Sequence, residues 1–400
     1  MAPRIIISSF KGLSGKTIIS TALIYGLSKR GLRVAPFKVG PDYIDPSYHY
    51  LAAGVPSRNL DVFLMGIDGV LRRFSRYSKG ADVAVVEGVM GLHDSMDGVS
   101  ELGSTAQVAK ALRAPVILIL NGERVNRTLR AVVRGLKEFD KEVQIPAVVL
   151  TNIAGRQAEK LGKSLAEEGV EVVGWVPRDE EVAEVFSYRH LGLVPARERG
   201  EPERLFSLFE RKVLPYLDMD KVLEIAKSAD ELDGVEPLDG GGAAGGCRIG
   251  IFLDRAFNFY YPEVLERAKE LGEVFFVDAT KDQKLPEADL LVIGGGFPET
   301  SGELLERNKP LRAEVRRYVE RGGALYAECG GLMYSASSVI YNGEQYEMAG
   351  IVEGDAVVLK RPVGHGYAIA RVAEDSLIGP AGAEIKGHEF HYSKLILREK

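Results

Sequence analysis

Along the first half of the chain, short apolar runs alternate with longer segments in which apolar residues return every three or four positions. Residues 4–8, 34–39, 83–86, 116–120 and 147–151 are strand-length runs of nearly unbroken apolar character, the pattern of strands covered on both faces. Residues 17–30, 105–112 and 126–139 have helical spacing. Strands that alternate with helices are joined by crossovers, so this half predicts an α/β domain with a parallel sheet between two layers of helix. The rhythm breaks at residues 233–246, DGVEPLDGGGAAGG, where glycine and small residues offer no apolar face. A linker over 231–246 is therefore expected between domains at 1–230 and 247–400. Beyond it the alternation restarts, with strands predicted at 248–253, 274–277, 290–293 and 324–327, a helix from Pro262 and a final strand near 389–392. That is a second α/β domain.

Composition narrows the class. A chain of 400 residues exceeds what one hydrophobic core usually organises, in keeping with two domains. The net charge of -6 argues against nucleic acid as a partner, while leaving room for basic patches that hold a polyanionic small molecule. No run is long and apolar enough to span a bilayer, and Ile5-Ile6-Ile7 arrives without the charged start and long apolar core of a signal peptide. Cys247 and Cys329 are the only cysteines, too few for a disulfide framework. A cytoplasmic protein without membrane or nucleic-acid partners is the expectation.

Two segments carry chemistry. Gly12-Leu13-Ser14-Gly15-Lys16-Thr17 follows the first strand and opens the first helix, where backbone N–H groups and the helix N-terminus can surround phosphate oxygens. Lys11, Gly12, Gly15, Lys16 and Thr17 are thus the expected ATP-binding residues, with Lys16 reaching the β- and γ-phosphates and Thr17 holding Mg²⁺. The strict GxxxxGK[ST] pattern fails at Phe10. Lys11 instead fits a deviant loop in which an additional lysine meets the nucleotide, an exposed loop lysine being the alternative. Mg²⁺ takes hard oxygen ligands, and open α/β sheets bind ligands at the carboxyl ends of their strands. Glu87 closes the run 83–86 and is the best further contact to the metal. Asp42 and Asp45 sit just past the run 34–39, and both are candidates for organising metal and substrate, unless they only cap a helix.

The second segment is Glu328-Cys329-Gly330-Gly331, directly after the run 324–327. A sharp strand-to-helix turn there projects the sulfur, and flanking glycines would be unusual around a buried core cysteine, so Cys329 is read as a nucleophile. The second domain offers His365, His388 and His391 as its base. In an extended Gly387-His388-Glu389-Phe390-His391, alternate residues share a face, which makes His391 steered by Glu389 the economical triad. A zinc-binding HExxH reading fails on spacing. Gly295 and Gly296, in the glycine run after 290–293, are candidates for oxyanion-hole N–H groups, a plain glycine turn being the alternative.

With these residues in view, the chain resembles the cobyrinic acid a,c-diamide synthase family. The likeness is carried by FKVGPDYIDPSYH (37–49), SRNLD (57–61), VEGVMGLHD (86–94), GSTAQVAKAL (103–112), RHLGL (189–193), FNFYYPE (257–263), GGGFPE (294–299), ECGGLMY (328–334) and GHEFHYS (387–393). Two features depart from the family pattern: the deviant phosphate loop, and FSY (186–188) where a proline-containing stretch is usual. The resemblance implies a P-loop NTPase-like parallel-sheet domain followed by a flavodoxin-like class I glutamine amidotransferase domain. It further implies ATP- and Mg²⁺-dependent amidation of the a and c acetates of a cobyrinate-type tetrapyrrole, with glutamine or ammonia as nitrogen source. Similar enzymes act on nickel-sirohydrochlorin in coenzyme F430 synthesis, so the ring stays open. A homodimer is one candidate assembly, since ammonia must pass between sites within an enclosed path.

A carboxylate is a poor electrophile, so phosphoryl transfer to an acyl phosphate is the expected first step. A flat ring fringed with carboxylates calls for apolar surface joined to cationic forks. Tyr43 and Arg58 are the substrate-binding candidates, and Phe257, Phe259, Tyr260 and Tyr261 line the same pocket unless they are core packing. Two rivals remain: a partner-regulated ATPase of the deviant-loop type, which leaves Cys329 without a task, and a sensor descended from the enzyme, which the intact Lys16, Thr17, Glu87, Cys329 and His391 oppose.

Overall fold

Strands that are apolar on both faces are sheltered only between two layers of helix. The computed structural model, which describes residues 1–185, 188–189, 192–193, 202–232 and 245–398, has this arrangement in the first of two compact units, Met1–Asp239 and Gly240–Lys400. Seven strands, β1 (Arg4–Ser9), β2 (Val34–Val39), β3 (Arg58–Leu60), β4 (Val83–Glu87), β5 (Val116–Asn121), β6 (Ala147–Thr151) and β7 (Glu171–Val176), form one sheet in the order β3-β2-β4-β1-β5-β6-β7. Every pair is parallel. Alternation along β1 sends Ile5 and Ile7 into one buried cluster and Ile6 into the other. The first cluster is closed by α1 (Lys16–Lys29) and α2 (Asp45–Ala53), and the second by α3 (Val62–Ser78), α4 (Thr105–Ala111), α5 (Thr128–Phe139) and α6 (Gly155–Ala166). After α7 (Glu180–Val185) and the short ladder β8 (Tyr188–Arg189) with β9 (Gly192–Leu193), α8 (Pro202–Lys212) and α9 (Met219–Lys227) complete the first cluster.

Register decides what meets at the site. β2 and β4 are neighbours with Lys38 opposite Glu87, and β1 flanks β4 with Ile7 opposite Glu87. The five strands read from the apolar runs are present, and β3 and β7 are additional. β3 has three residues, two of them polar, and β7 carries Glu171 and Gly174, so neither makes an unbroken apolar run. Within the 231–246 linker reading, residues 233–244 lie outside the described residues, as do residues 186–187 of FSY and 190–191 of RHLGL.

The second unit holds a parallel sheet of β10 (Cys247–Phe252), β11 (Gly272–Val277), β12 (Leu290–Ile293) and β13 (Ala324–Ala327), ordered β11-β10-β12-β13. Its helices are α10 (Pro262–Leu271), α11 (Gly302–Arg307), α12 (Lys309–Glu320) and α13 (Gly330–Ser335). A second sheet, ordered β15-β14-β16-β19, consists of β14 (Ala336–Tyr341), β15 (Glu344–Glu347), β16 (Val352–Val358) and β19 (Ser393–Leu397). β17 (Gly364–Arg371) and β18 (Glu384–His391) form an antiparallel pair. The strand expected near 389–392 is the end of β18. The strands β16, β17 and β19 escape the apolar pattern because they are partly exposed and carry polar residues on their open faces.

Candidate active site

The phosphate loop leaves β1 at Ser9 and enters α1 at Lys16. Gly15 precedes the helix at φ +87, a left-handed conformation that lets the chain turn without a Cβ clash. Inside the loop, Ser9 Oγ and Ser14 Oγ donate to the Lys11 carbonyl at 2.6 and 3.0 Å, so Lys11 shapes the loop through its backbone. Its exposed ammonium lies 5.4 Å from the Phe10 ring centroid. Lys16 is buried and donates to the Met90 carbonyl at 2.5 Å and to Ser9 Oγ at 3.0 Å. Burial, with Lys38 nearby, pulls its ammonium down to about 8. Half-buried Gly12 faces the Met90 side chain, whose atoms lie 3.6 Å from where a Cβ would stand.

Glu87 is the hub. It ends β4 fully buried, with four side chains on its two oxygens. Oε1 accepts from Thr17 Oγ1 at 2.9 Å and from Lys38 Nζ at 3.0 Å. Oε2 accepts from Ser20 Oγ and lies 2.7 Å from His49 Nε2, whose Nδ1 is 3.1 Å from Ser57 Oγ. Burial alone would raise this carboxyl, but Lys38, His49 and Ser20 outweigh it and hold it well below the usual carboxylate range. Lys38 also bonds Asp45 Oδ2 at 2.7 Å and the Gly88 carbonyl at 3.0 Å. Desolvation of this buried ammonium is overcome by Asp45, Glu87 and Asp42, which raise it. Burial and the adjacent Asp42 push the Asp45 carboxyl up against the pull of Lys38.

The donor set fits magnesium, which needs one or two hard protein ligands and otherwise keeps water and phosphate oxygens. Glu87 Oε1 and Asp45 Oδ2 both meet the Lys38 ammonium, itself a cation among carboxylates, and Thr17 Oγ1 bonds the same Glu87 oxygen. Among the described residues no preformed cluster of three acidic, histidine or cysteine groups surrounds an open metal position. Asp42, expected beside the metal, has a structural task as well. Its Oδ1 accepts the N–H groups of Ile44 at 2.7 Å and Asp45 at 3.0 Å, shaping the turn into α2, while its charge still acts on Lys38 beside that of Asp45, the aspartate that bonds Lys38 directly. Tyr43 lies half buried in that turn. Arg58, the other substrate-binding candidate, is buried, with its guanidinium carbon 3.8 Å from the Tyr77 ring centroid.

In the second unit, Cys329 stands between β13 and α13 at φ +49 and ψ -109, a strained conformation for a residue with a side chain. Gly331 makes the elbow feasible, since a Cβ there would lie 2.0 Å from the Ile293 carbonyl oxygen. Its N–H donates to the Glu328 and Gly294 carbonyls at 2.8 and 3.0 Å. Cys329 as a whole residue is exposed, yet its thiol sits in a crowded elbow. Desolvation pushes it up, opposed by the nearby N–H groups of Gly330 and Gly296, and Glu299 and Glu328 add to the rise. The resting thiol therefore needs a base. Alkylation of Cys329 by iodoacetamide without glutamine, followed by peptide mass, should keep accelerating beyond pH about 8.5, the ordinary midpoint of a cysteine thiol. A rate that levels off near neutrality would contradict the raised thiol.

Glu389 and His391 share a face of β18, as strand alternation requires. A Cβ on Gly364, the cross-strand partner of His391, would meet both His391 Nε2 at 2.4 Å and Glu389 Oε2 at 2.8 Å. The expected orienting bond is different, however. His391 Nδ1 lies 2.9 Å from the Ser393 carbonyl, which requires the proton on Nδ1 and leaves the Nε2 lone pair as the basic atom of the neutral ring. Among the described residues, no hydrogen bond joins Cys329, His391 and Glu389. The aromatic block also corrects the pocket reading. Phe257 is fully buried against Phe252 and Tyr334, Phe259 stacks edge-on with Phe297, and Tyr260 bonds the backbone of the glycine run. The Tyr260 ring stands against Gly294 and Phe259 against Gly295, and Tyr261 precedes α10.

Sequence reasoning missed Lys38, His49 and Ser20. Lys38 left a usable signal, because a lysine inside a strand buried at every position must have an anionic partner.

The chain matches two family models: a CobQ/CobB/MinD/ParA nucleotide binding domain over residues 5–191 and a CobB/CobQ-like glutamine amidotransferase domain over residues 248–400. It is similar throughout to curated proteins named cobyrinate a,c-diamide synthase. That of Archaeoglobus fulgidus is 42% identical across 100% of this chain and 87% of the relative. The Listeria innocua protein is 39% identical across 98% of this chain and 87% of its own length, and the Methanocaldococcus jannaschii protein matches to the same degree.

Proposed function

The chain belongs to the cobyrinate a,c-diamide synthase family, and from that premise we propose that it amidates the a and c acetate carboxylates of cobyrinate, spending ATP and taking nitrogen from glutamine. The observation that carries this reading is the pairing, in one chain, of a phosphate loop whose Thr17 is tied to a buried strand-end Glu87 with a strained cysteine elbow whose sulfur faces glycine N–H groups. A phosphate loop alone suits many ATPases. The thiol elbow suits amide attack, and a partner-regulated switch would have no use for it.

In the first unit, Lys16 leaves the Met90 carbonyl for the β- and γ-phosphates, while the loop N–H groups surround them. Thr17, Glu87 and Asp45 would hold Mg²⁺, which supplies charge neutralisation on the phosphate oxygens. The substrate carboxylate oxygen attacks the γ-phosphorus, ADP leaves, and the resulting acyl phosphate gives ammonia a carbonyl with phosphate as leaving group. Lys38 stands where charge on the carboxylates and the incoming substrate has to balance. In the second unit, His391 Nε2 takes the Cys329 proton, and the thiolate attacks the glutamine side-chain carbonyl. The N–H groups of Gly295 and Gly296 are the proposed donors to the oxyanion. The proton passes to the departing ammonia, and water then hydrolyses the γ-glutamyl thioester.

Mass spectrometry after incubation with ATP, Mg²⁺, glutamine and either cobyrinate or nickel-sirohydrochlorin tests substrate and reaction together. Two successive acid-to-amide shifts on cobyrinate are expected. Shifts on the nickel ring alone would replace the substrate, and no shift on either would remove the reading.

A further inference from the structure

The glycine run after β12 is held by one side chain that the proposed chemistry has not used. Tyr260 Oη accepts the Gly294 N–H at 2.7 Å and donates to the Phe252 carbonyl at 2.6 Å. Phe252 and Ile293 are register partners at the ends of β10 and β12, so the hydroxyl ties together two neighbouring strand ends. The ring occupies the space that a side chain at 294 would need, 2.7 Å from its Cβ position. The next residue is held from the same segment, because the N–H groups of Asn258 and Phe259 both reach the Gly295 carbonyl at 3.0 Å. Gly295 also stands against the cysteine elbow, since a Cβ there would lie 3.5 Å from Cys329 Cβ.

We propose that Tyr260 is a positioning residue for glutamine hydrolysis: its hydroxyl fixes Gly294 and thereby the N–H groups of Gly295 and Gly296 beside the Cys329 sulfur. The requirement is geometric. As the carbon–sulfur bond forms, the carbonyl π electrons move onto oxygen, and donors stabilise that charge only when they already stand at its position. Glycines supply the needed N–H groups but no stiffness of their own. The hydroxyl supplies it, acting as both acceptor and donor from one half-buried ring. Burial keeps this phenol protonated far into alkali, so both roles persist wherever the enzyme works.

The inference rests on Cys329 hydrolysing glutamine, and the test separates the two claims. Steady-state kinetics on the full chain compare wild type, Tyr260→Phe and Tyr318→Phe, each with glutamine and with ammonia as donor. Tyr318 is the matched control because its hydroxyl bonds the Ala324 carbonyl at 3.1 Å, at the start of β13 and away from the elbow at its end. Tyr260→Phe is expected to lower kcat with glutamine by about 10- to 100-fold with KM within about threefold, since small displacement or loss of one oxyanion donor costs this order. The rate with ammonia should fall no more than it does in Tyr318→Phe. An unchanged kcat with glutamine, or an equal loss in Tyr318→Phe, overturns the role of Tyr260. Absence of glutamine hydrolysis in the wild-type chain removes the underlying reading and the inference with it. If Tyr260→Phe does not fold, Tyr260→His, whose ring nitrogen can accept from Gly294, must recover more glutamine turnover than Tyr260→Leu; equal rates in the two variants also overturn it.

Discussion

Cys329→Ser is expected to lose glutamine-dependent amidation by more than about 10³-fold while keeping ammonia-dependent amidation within about twofold of wild type. The size of the first effect follows from the nucleophile. A serine hydroxyl at the same elbow is far weaker than a thiolate, and this site already works against deprotonation because desolvation in the turn pushes even the thiol up. His391 can take a proton from a thiol with its Nε2, but a hydroxyl lies many pH units further away. The second half of the prediction follows from the division of the chain into two compact units, with the thiol in one and the phosphate loop in the other. Serine preserves the shape of the φ +49 turn, so the packing of α13 on β12 should survive. Measuring both donors on one preparation, with unfolding curves as a control, decides the matter. Equal loss with glutamine and ammonia would mean that the cysteine serves more than nitrogen supply.

How much of this was legible in the residues varies with the kind of interaction. The parallel sheet of the first unit follows from runs such as Ile5-Ile6-Ile7, because strands buried on both faces need no polar alternation. The strand-to-helix turn at Cys329 was legible through its glycines, of which Gly331 makes a close approach to the Ile293 backbone. The Glu87 hub was legible only in part. Thr17 and Glu87 were both singled out, but their 2.9 Å bond depends on β1 and β4 being neighbours, and the sheet order is a property of crossovers that no local pattern records. Lys38 is joined to Glu87 by the same order, and His49 reaches it from α2. The partner of His391 was hidden for a different reason. Any residue at position 393 offers a carbonyl, so the sequence contains no mark of which backbone oxygen the imidazole will use. For Arg58 and the aromatic block the alternatives stayed open, because a charge or a ring reads the same whether it meets a ligand or another side chain.

Lys16→Ala should abolish amidation with both donors, by at least about 10³-fold, and this symmetry distinguishes it from the thiol variant. Carboxylate activation precedes nitrogen transfer whatever the nitrogen source, so a defect there cannot be bypassed with ammonia. The magnitude follows from where the ammonium stands. It is buried beside the loop, close to Ser9 Oγ and the Met90 carbonyl, so an alanine leaves no other side chain in reach of the same point. Lys11 does not replace it, because its ammonium is at the surface over Phe10 and only its carbonyl faces the loop interior. Loss of Lys16 also removes a cation whose charge the nearby Lys38 disfavours, so the protein itself should lose little stability. The expected pattern is thus a folded chain with glutamine hydrolysis retained and amide formation gone. Glutamine turnover measured without tetrapyrrole, alongside amidation with ammonia, reads these separately. Retained ammonia-dependent amidation in Lys16→Ala would take the phosphate loop out of the reaction and leave the carboxylate to be activated elsewhere.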